Sequence, residues 1–177
     1  METLNKKTQI HVKALESANN ADVLKSIQAL RLNGTEEAIP FLVQTLVNNP
    51  DEDIKNEITH LLFDLKNIKA LPALVMEIIN PANLEFQHIL ISACWESGMD
   101  CSKYLNFFVE LAINSNYCVA FECLTVIENM VGPFNVPKMD ELIEKTKNAA
   151  DEDPSRFDLL NSLWEVLVDI KASGEPE

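Results

Sequence analysis

The stretch Ile39–Leu65, IPFLVQTLVNNPDEDIKNEITHLLFDL, holds two apolar stripes separated by a polar break, and that alternation decides the fold. In its first half Ile39, Leu42, Val43, Leu46 and Val47 stand at relative positions 0, 3, 4, 7 and 8. In its second half Ile54, Ile58, Leu61, Leu62 and Leu65 stand at 0, 4, 7, 8 and 11. Either spacing gathers apolar side chains on one side of a helix of about 3.6 residues per turn, so each half predicts an amphipathic helix. Between them Asn48-Asn49-Pro50-Asp51 stops the first helix and offers a cap to the second.

Both stripes recur along the chain. The first returns as Leu71, Leu74, Val75, Ile78, Ile79 and as Leu105, Phe108, Val109, Ala112, Ile113. A fourth copy begins as Met139, Leu142, Ile143 and decays to Thr146 and Lys147, and the four starts are 32, 34 and 34 residues apart. The second stripe returns as Phe86, Leu90, Ala93, Cys94, Ser97 and as Val119, Cys123, Val126, Ile127, Met130. Upstream Val23, Ile27 and Leu30 match its first three positions, and downstream Phe157, Leu160, Leu163, Trp164 and Leu167 form a similar stripe. The starts at 23, 54, 86 and 119 step by 31, 32 and 33. Two ladders with nearly one period predict a tandem repeat, each unit a helix A, a turn and a helix B. Polar turns also follow at Asn80-Pro81-Ala82-Asn83, Ser115-Asn116 and Asp151-Glu152-Asp153-Pro154-Ser155. Asn33-Gly34-Thr35, Ser97-Gly98 and Gly132-Pro133 supply glycine-type helix ends between units. About ten helices in five pairs are expected, with no useful β alternation.

At this point the chain resembles the HEAT-repeat family. In that family helix A carries an early proline before its apolar stripe, as in Ile39-Pro40-Phe41-Leu42-Val43 and Leu71-Pro72-Ala73-Leu74-Val75. The resemblance implies a bent helix A and an all-α fold, a right-handed α-α superhelix (α-solenoid) of about five HEAT-like helix pairs. It implies a single HEAT-like repeat domain at 1–171, whose units, at about 8–33, 35–67, 69–98, 102–132 and 137–171, together cover residues 8 to 171. Residues 1 to about 7 and a tail at 172–177 read as loose. Two departures stand out. Asn106 and Asp140 replace the proline in the third and fourth A stripes, and Lys55, Gln87 and Ala120 stand where the family usually has an arginine near the start of helix B.

Charge narrows the function. The chain has 14 Lys and Arg against 28 Asp and Glu, a formal net charge of −14, and between Lys69 and Lys138 its only Lys or Arg is Lys103. A nucleic-acid binder needs a basic stripe to neutralise phosphates, so nucleic acid is not an expected ligand. No apolar run reaches membrane-spanning length, and the N-terminal lysines have no apolar segment behind them, so neither a membrane nor a secretory signal is expected. Cys94, Cys101, Cys118 and Cys123 lie in or beside helical apolar patterns. They read as free buried thiols in a reducing, cytoplasmic compartment.

Motifs for chemistry are missing. His11, His60 and His88 have no metal-ligand spacing with the cysteines, and no HExxH, CxxC pair, GxSxG or Walker-type loop occurs. No catalytic residue, metal or cofactor is expected. The better candidate is the surface that helix B presents once its core positions are set aside, namely positions 2, 3, 6, 9 and 10. These hold Glu57, Phe63, Asp64, His88, Trp95, Glu96, Phe121, Glu122 and Glu128, a mixture of large aromatics and acids. Aromatics rimmed by charge suit an anchor-and-rim interface, although Phe63 and Trp95 could equally pack between neighbouring repeats. Trp164 reads as core.

The resemblance implies an adaptor or scaffold, and the charge adds a basic or amphipathic protein partner, one version being an inhibitor of a basic protein. A HEAT-like enzyme or ligand-handling protein of the bilin-lyase type is the alternative. A deep, closed concave pocket holding buried acids with perturbed pKa values would favour it, and a shallow open groove the protein-binding reading.

Overall fold

A computed structural model of the chain describes residues 6–134 and 136–174. Among them are ten α-helices and no strand, and the chain divides into two compact units, Met1–Met99 and Asp100–Glu177. The first unit contains α1 (Lys6–Ala14), α2 (Asn20–Asn33), α3 (Ile39–Asn48), α4 (Glu52–Phe63), α5 (Ala70–Ile78) and α6 (Gln87–Glu96). Helices α3 and α5 pack together in one layer, α2, α4 and α6 lie side by side in the other, and each A helix packs on its own B helix. The second unit repeats that plan with α7 (Leu105–Asn114), α8 (Tyr117–Glu128), α9 (Val136–Glu152) and α10 (Phe157–Gly174). There α7 packs on α9, α8 on α10, and each pair closes on itself. Within each unit this is the HEAT-like arrangement of helix hairpins.

The two apolar ladders are what these layers bury. Ile39, Leu42, Val43 and Leu46 of α3 face Ile54, Ile58, Leu61 and Leu62 of α4, all of them buried. Phe108, Val109 and Ala112 of α7 and Val119, Cys123, Val126 and Ile127 of α8 do the same in the second unit. Thr146, where the fourth A stripe turns polar, is also buried. Its hydroxyl donates to the Leu142 carbonyl at 2.8 Å, so the decay of the pattern leaves no polar group unsatisfied.

Side-chain caps set where the B helices begin. The Asp51 carboxylate accepts from the backbone N–H groups of Asp53 and Ile54 at 2.9 and 3.2 Å, and the Asn116 side chain accepts from Val119 at 3.0 Å. Each satisfies donors that the first turn of a helix leaves free. Gly34 ends α2 at φ −72, so it is not required for a left-handed turn. A Cβ there would lie 2.5 Å from the Leu30 carbonyl oxygen, and close approach is the reason only glycine fits. Gly98, at φ +67, is the left-handed helix end that its position suggests.

Several details differ from the expectations. Pro40 and Pro72 lie in the first turns of α3 and α5, where a backbone N–H has no helical partner anyway, so neither proline breaks a helical hydrogen bond. A 3₁₀ turn, Glu36–Ala38, runs directly into α3 in place of a longer helix that would have to bend around the proline. In the third pair a 3₁₀ segment, Pro81–Phe86, takes up the start of helix B. Phe86 is therefore the last residue before α6 and not its first stripe residue. Leu65 likewise falls beyond the end of α4. Lys6 and Lys7 open α1, and α10 runs through Gly174, past the 171 bound. The rest of the two ends expected to be loose, residues 1–5 and 175–177, lies outside the described residues.

Candidate protein-binding surface

The B helices of the first unit place four of the nine candidate residues around one open depression. Glu57, Phe63 and Asp64 from α4 and its C-terminal end, together with Glu96 from the end of α6, line it with Arg31 and His60. This clustering follows from the layer: α2, α4 and α6 lie side by side, so positions one repeat apart become neighbours. Phe63 is half-buried, which is consistent with an aromatic that both supports the wall and shows part of its ring. Asp64 and Glu96 are exposed and Glu57 is half-buried.

Arg31, which the B-helix positions do not single out, lines this surface and changes its electrostatics. From the last turn of α2 its guanidinium pairs with the Asp64 carboxylate and, at 3.6 Å, with that of Glu57. It also donates to the Glu57 carbonyl at 3.4 Å. Two of the acids are thus partly neutralised from within the unit, and Glu96 is left to face solvent.

His88 and Trp95 of α6 are half-buried and lie outside this depression. In the same helix Ser92, at position 6, is buried, and its hydroxyl donates to the His88 carbonyl at 2.8 Å. Position 6 is therefore not uniformly exposed. The remaining three candidates belong to the second unit: Phe121 is exposed, Glu122 half-buried, and Glu128 exposed at the end of α8. Trp164, read from the sequence as core, is only half-buried. Lys147 holds its ammonium 5.4 Å from the centre of that ring, while the indole N–H is buried without a hydrogen-bond partner.

Charge is unevenly shared between the units. The first has 8 Lys and Arg against 13 Asp and Glu, the second 6 against 15. The second unit also uses its cations in its own framework. Arg156 binds the Asp153 carboxylate at 2.7 Å and donates to the carbonyls of Ala112 at 3.1 Å, Ile113 at 3.0 Å and Ser115. It thereby caps the C-terminal end of α7, where orphan carbonyls and the helix dipole favour a cation. This is an arginine near the start of a B helix, the kind of residue the earlier pairs lack. In the third pair Gln87 does comparable work, donating from its side-chain amide to the Ile78 carbonyl at 2.9 Å. Lys145 bridges Glu110 and Glu141 at 2.7 and 3.2 Å, and Lys171 pairs with Asp140 at 2.8 Å.

Two carboxyls of the second unit have shifted pKa values, and both move down. At Asp100 burial acts to raise the value but is outweighed by hydrogen bonds from the Ser102 hydroxyl and from the backbone N–H groups of Val131 and Ser102. Hydrogen bonds from Ser155 and Arg156 hold Asp153 at about 2. Both are carboxylates stabilised in the ionised form, the reverse of what a general acid needs. Among the described residues no group of three His, Cys, Asp or Glu side chains could hold a metal ion, and no helix is long and apolar enough to cross a membrane. Three cysteines are buried as expected, but Cys118 is exposed. It stands in the first turn of α8, before the buried stripe begins at Val119.

No family model matches this chain, and no curated protein is similar to it in sequence. Among solved structures it is similar to a designed armadillo repeat protein in complex with the peptide (KR)4. The identity is 15%, over 93% of this chain and 81% of that chain, with a TM-score of 0.46.

Proposed function

We propose that this chain is a non-catalytic protein-interaction module, an adaptor, scaffold or inhibitor, that captures a basic or amphipathic protein through the acidic, aromatic-bearing surface of its B helices. The observation that carries the reading is the grouping of Glu57, Phe63, Asp64 and Glu96 around one solvent-open depression of the first unit. An open rim of carboxylates around a partly shown ring suits a docked side chain better than an enclosed small molecule. The surplus of acids over cations in both units favours a cationic partner, whose approach it would accelerate by long-range attraction.

The test is capture of partners by the immobilised full chain at low and high salt, with charge reversals at Glu57, Asp64, Glu96 and Glu122. Capture of a basic protein that weakens with salt and with these reversals supports the proposal. Capture indifferent to both removes it.

A further inference from the structure

The second unit turns outward three aromatic side chains that its core does not use. Tyr117 and Phe121 stand one helical turn apart on α8, 57% and 49% exposed, and Phe157 opens α10 at 43%. Residues four apart lie on one helix face, so the α8 pair forms a short aromatic ridge. Tyr117 and Phe157 line the same open depression, together with Asp151, Pro154 and Asp158. Clustered exposed rings are costly to hydrate, and a patch of this kind marks an interaction surface.

The charge around the rings defines the occupant. Asp151, Glu152 and Asp158 are exposed, and among the described residues none of their carboxylates enters an ion pair. Arg156 is the one cation lining the depression, but its side chain is 17% exposed and its guanidinium is committed to Asp153 and the carbonyls of α7. The face a partner meets is therefore aromatic and negative. Ring faces carry negative quadrupole density and attract ammonium or guanidinium groups, and free carboxylates attract the same groups.

We propose that this face binds a lysine- or arginine-rich peptide segment of a protein partner that also carries aromatic side chains. An aromatic ring of the peptide sits in the depression between Tyr117 and Phe157. Its cations lie over the exposed rings and against Asp151 and Asp158. The inference rests on the protein-binding reading above and moves the principal anchor from the first unit to the second.

The experiment titrates the full chain with a dye-labelled peptide in which lysine alternates with phenylalanine. A lysine–serine peptide of equal charge and a glutamate–phenylalanine peptide serve as comparisons. The lysine–phenylalanine peptide is expected to bind at least about tenfold more tightly than either, and Tyr117→Ala or Phe121→Ala to weaken it about tenfold. Asp158→Lys should weaken it and flatten its salt dependence, and by more than Glu57→Lys or Glu96→Lys on the first-unit surface. Circular dichroism confirms that each variant keeps its helices, and Tyr117→Leu or Phe121→Leu, which removes the ring but keeps apolar bulk and helix propensity, replaces an alanine variant that does not.

Loss of binding in Glu57→Lys and Glu96→Lys, with Phe121→Ala unaffected, overturns this inference and leaves the first-unit surface standing. Equal affinity for the lysine–serine peptide overturns it as well. So does a dimer that Phe121→Ala dissociates without touching peptide affinity, because the face would then serve a second copy of the chain. Failure of the wild-type chain to bind any of the three peptides overturns both readings.

Discussion

Arg31 in the first unit and Arg156 in the second are the chain's two arginines, and each lies near an end of a B helix with carboxylates in reach. Arg31 reaches across the solvent face of its layer to Glu57 and Asp64, so its charge is spent on the surface. Arg156 turns inward, serving one carboxylate and three backbone carbonyls, so its charge is spent on the frame. The first surface is accordingly a mixed-charge network, and the second keeps bare carboxylates beside bare rings. Net charge alone would have ranked the units in the same order, but it would not have said which acids a partner can use.

The sharpest way to break this contrast is to remove Arg156. Arg156→Ala leaves α7 carbonyls without their charged donor and should cost about 3 kcal/mol in urea unfolding, with faster hydrogen exchange near the end of α7. Arg156→Lys, a single ammonium in place of a planar fork, should recover only part of that loss. Next come the caps that the two units share. Asp51→Ala and Asn116→Ala should each cost about 1 kcal/mol, and similar values would mean that the units differ in their arginines and not in how their B helices start.

Smaller still is Arg31→Ala, at less than about 1 kcal/mol, because Asp64 is exposed and Glu57 only half-buried, so water replaces the lost contacts. A double-mutant cycle with Asp64→Ala that returned several kcal/mol would erase the distinction between surface and frame. Acid titration gives the gentlest test. Asp153 has a folded pKa of about 2 against an ordinary value of 3.8, and Asp100 is also lowered. Groups depressed in this way stabilise the fold above about pH 3.8 and lose that contribution as pH falls towards 2. The urea midpoint should fall across that window, and Asp153→Asn should remove part of the slope.

What the sequence revealed about the fold came from periodicity. The A and B stripes name the buried face of each helix directly, because helix geometry alone decides which residues share a side. The turns were legible for a similar reason: Asp51 and Asn116 are local caps, acting on N–H groups two or three residues away. Segments that keep the apolar spacing but change helix type were not legible. Phe86 fits the stripe at position 0, yet the chain reaches it through a 3₁₀ segment fixed by Asn83, whose amide donates to the Glu77 carbonyl and carboxylate at 2.9 and 2.8 Å. The candidate surface was half legible. Repeat positions single out Glu57, Phe63, Asp64 and Glu96, which line one depression, but nothing local to Arg31 announces partners 26 and 33 residues ahead. Phe157 fits the first position of the last B stripe but is 43% exposed at the start of α10, ahead of the buried Leu159 and Leu160.

Cys118 follows Tyr117 in the first turn of α8 and is the chain's one exposed thiol. Cys94, Cys101 and Cys123 are buried, and burial, then the charge of Glu122, pushes the Cys123 thiol far up. A maleimide should therefore label native protein at a single position, since the reagent needs an accessible thiolate. The natural sequence thus contains its own footprinting probe. A ligand seated on the aromatic face should slow alkylation at Cys118, and one held by the α4 depression should leave its rate unchanged.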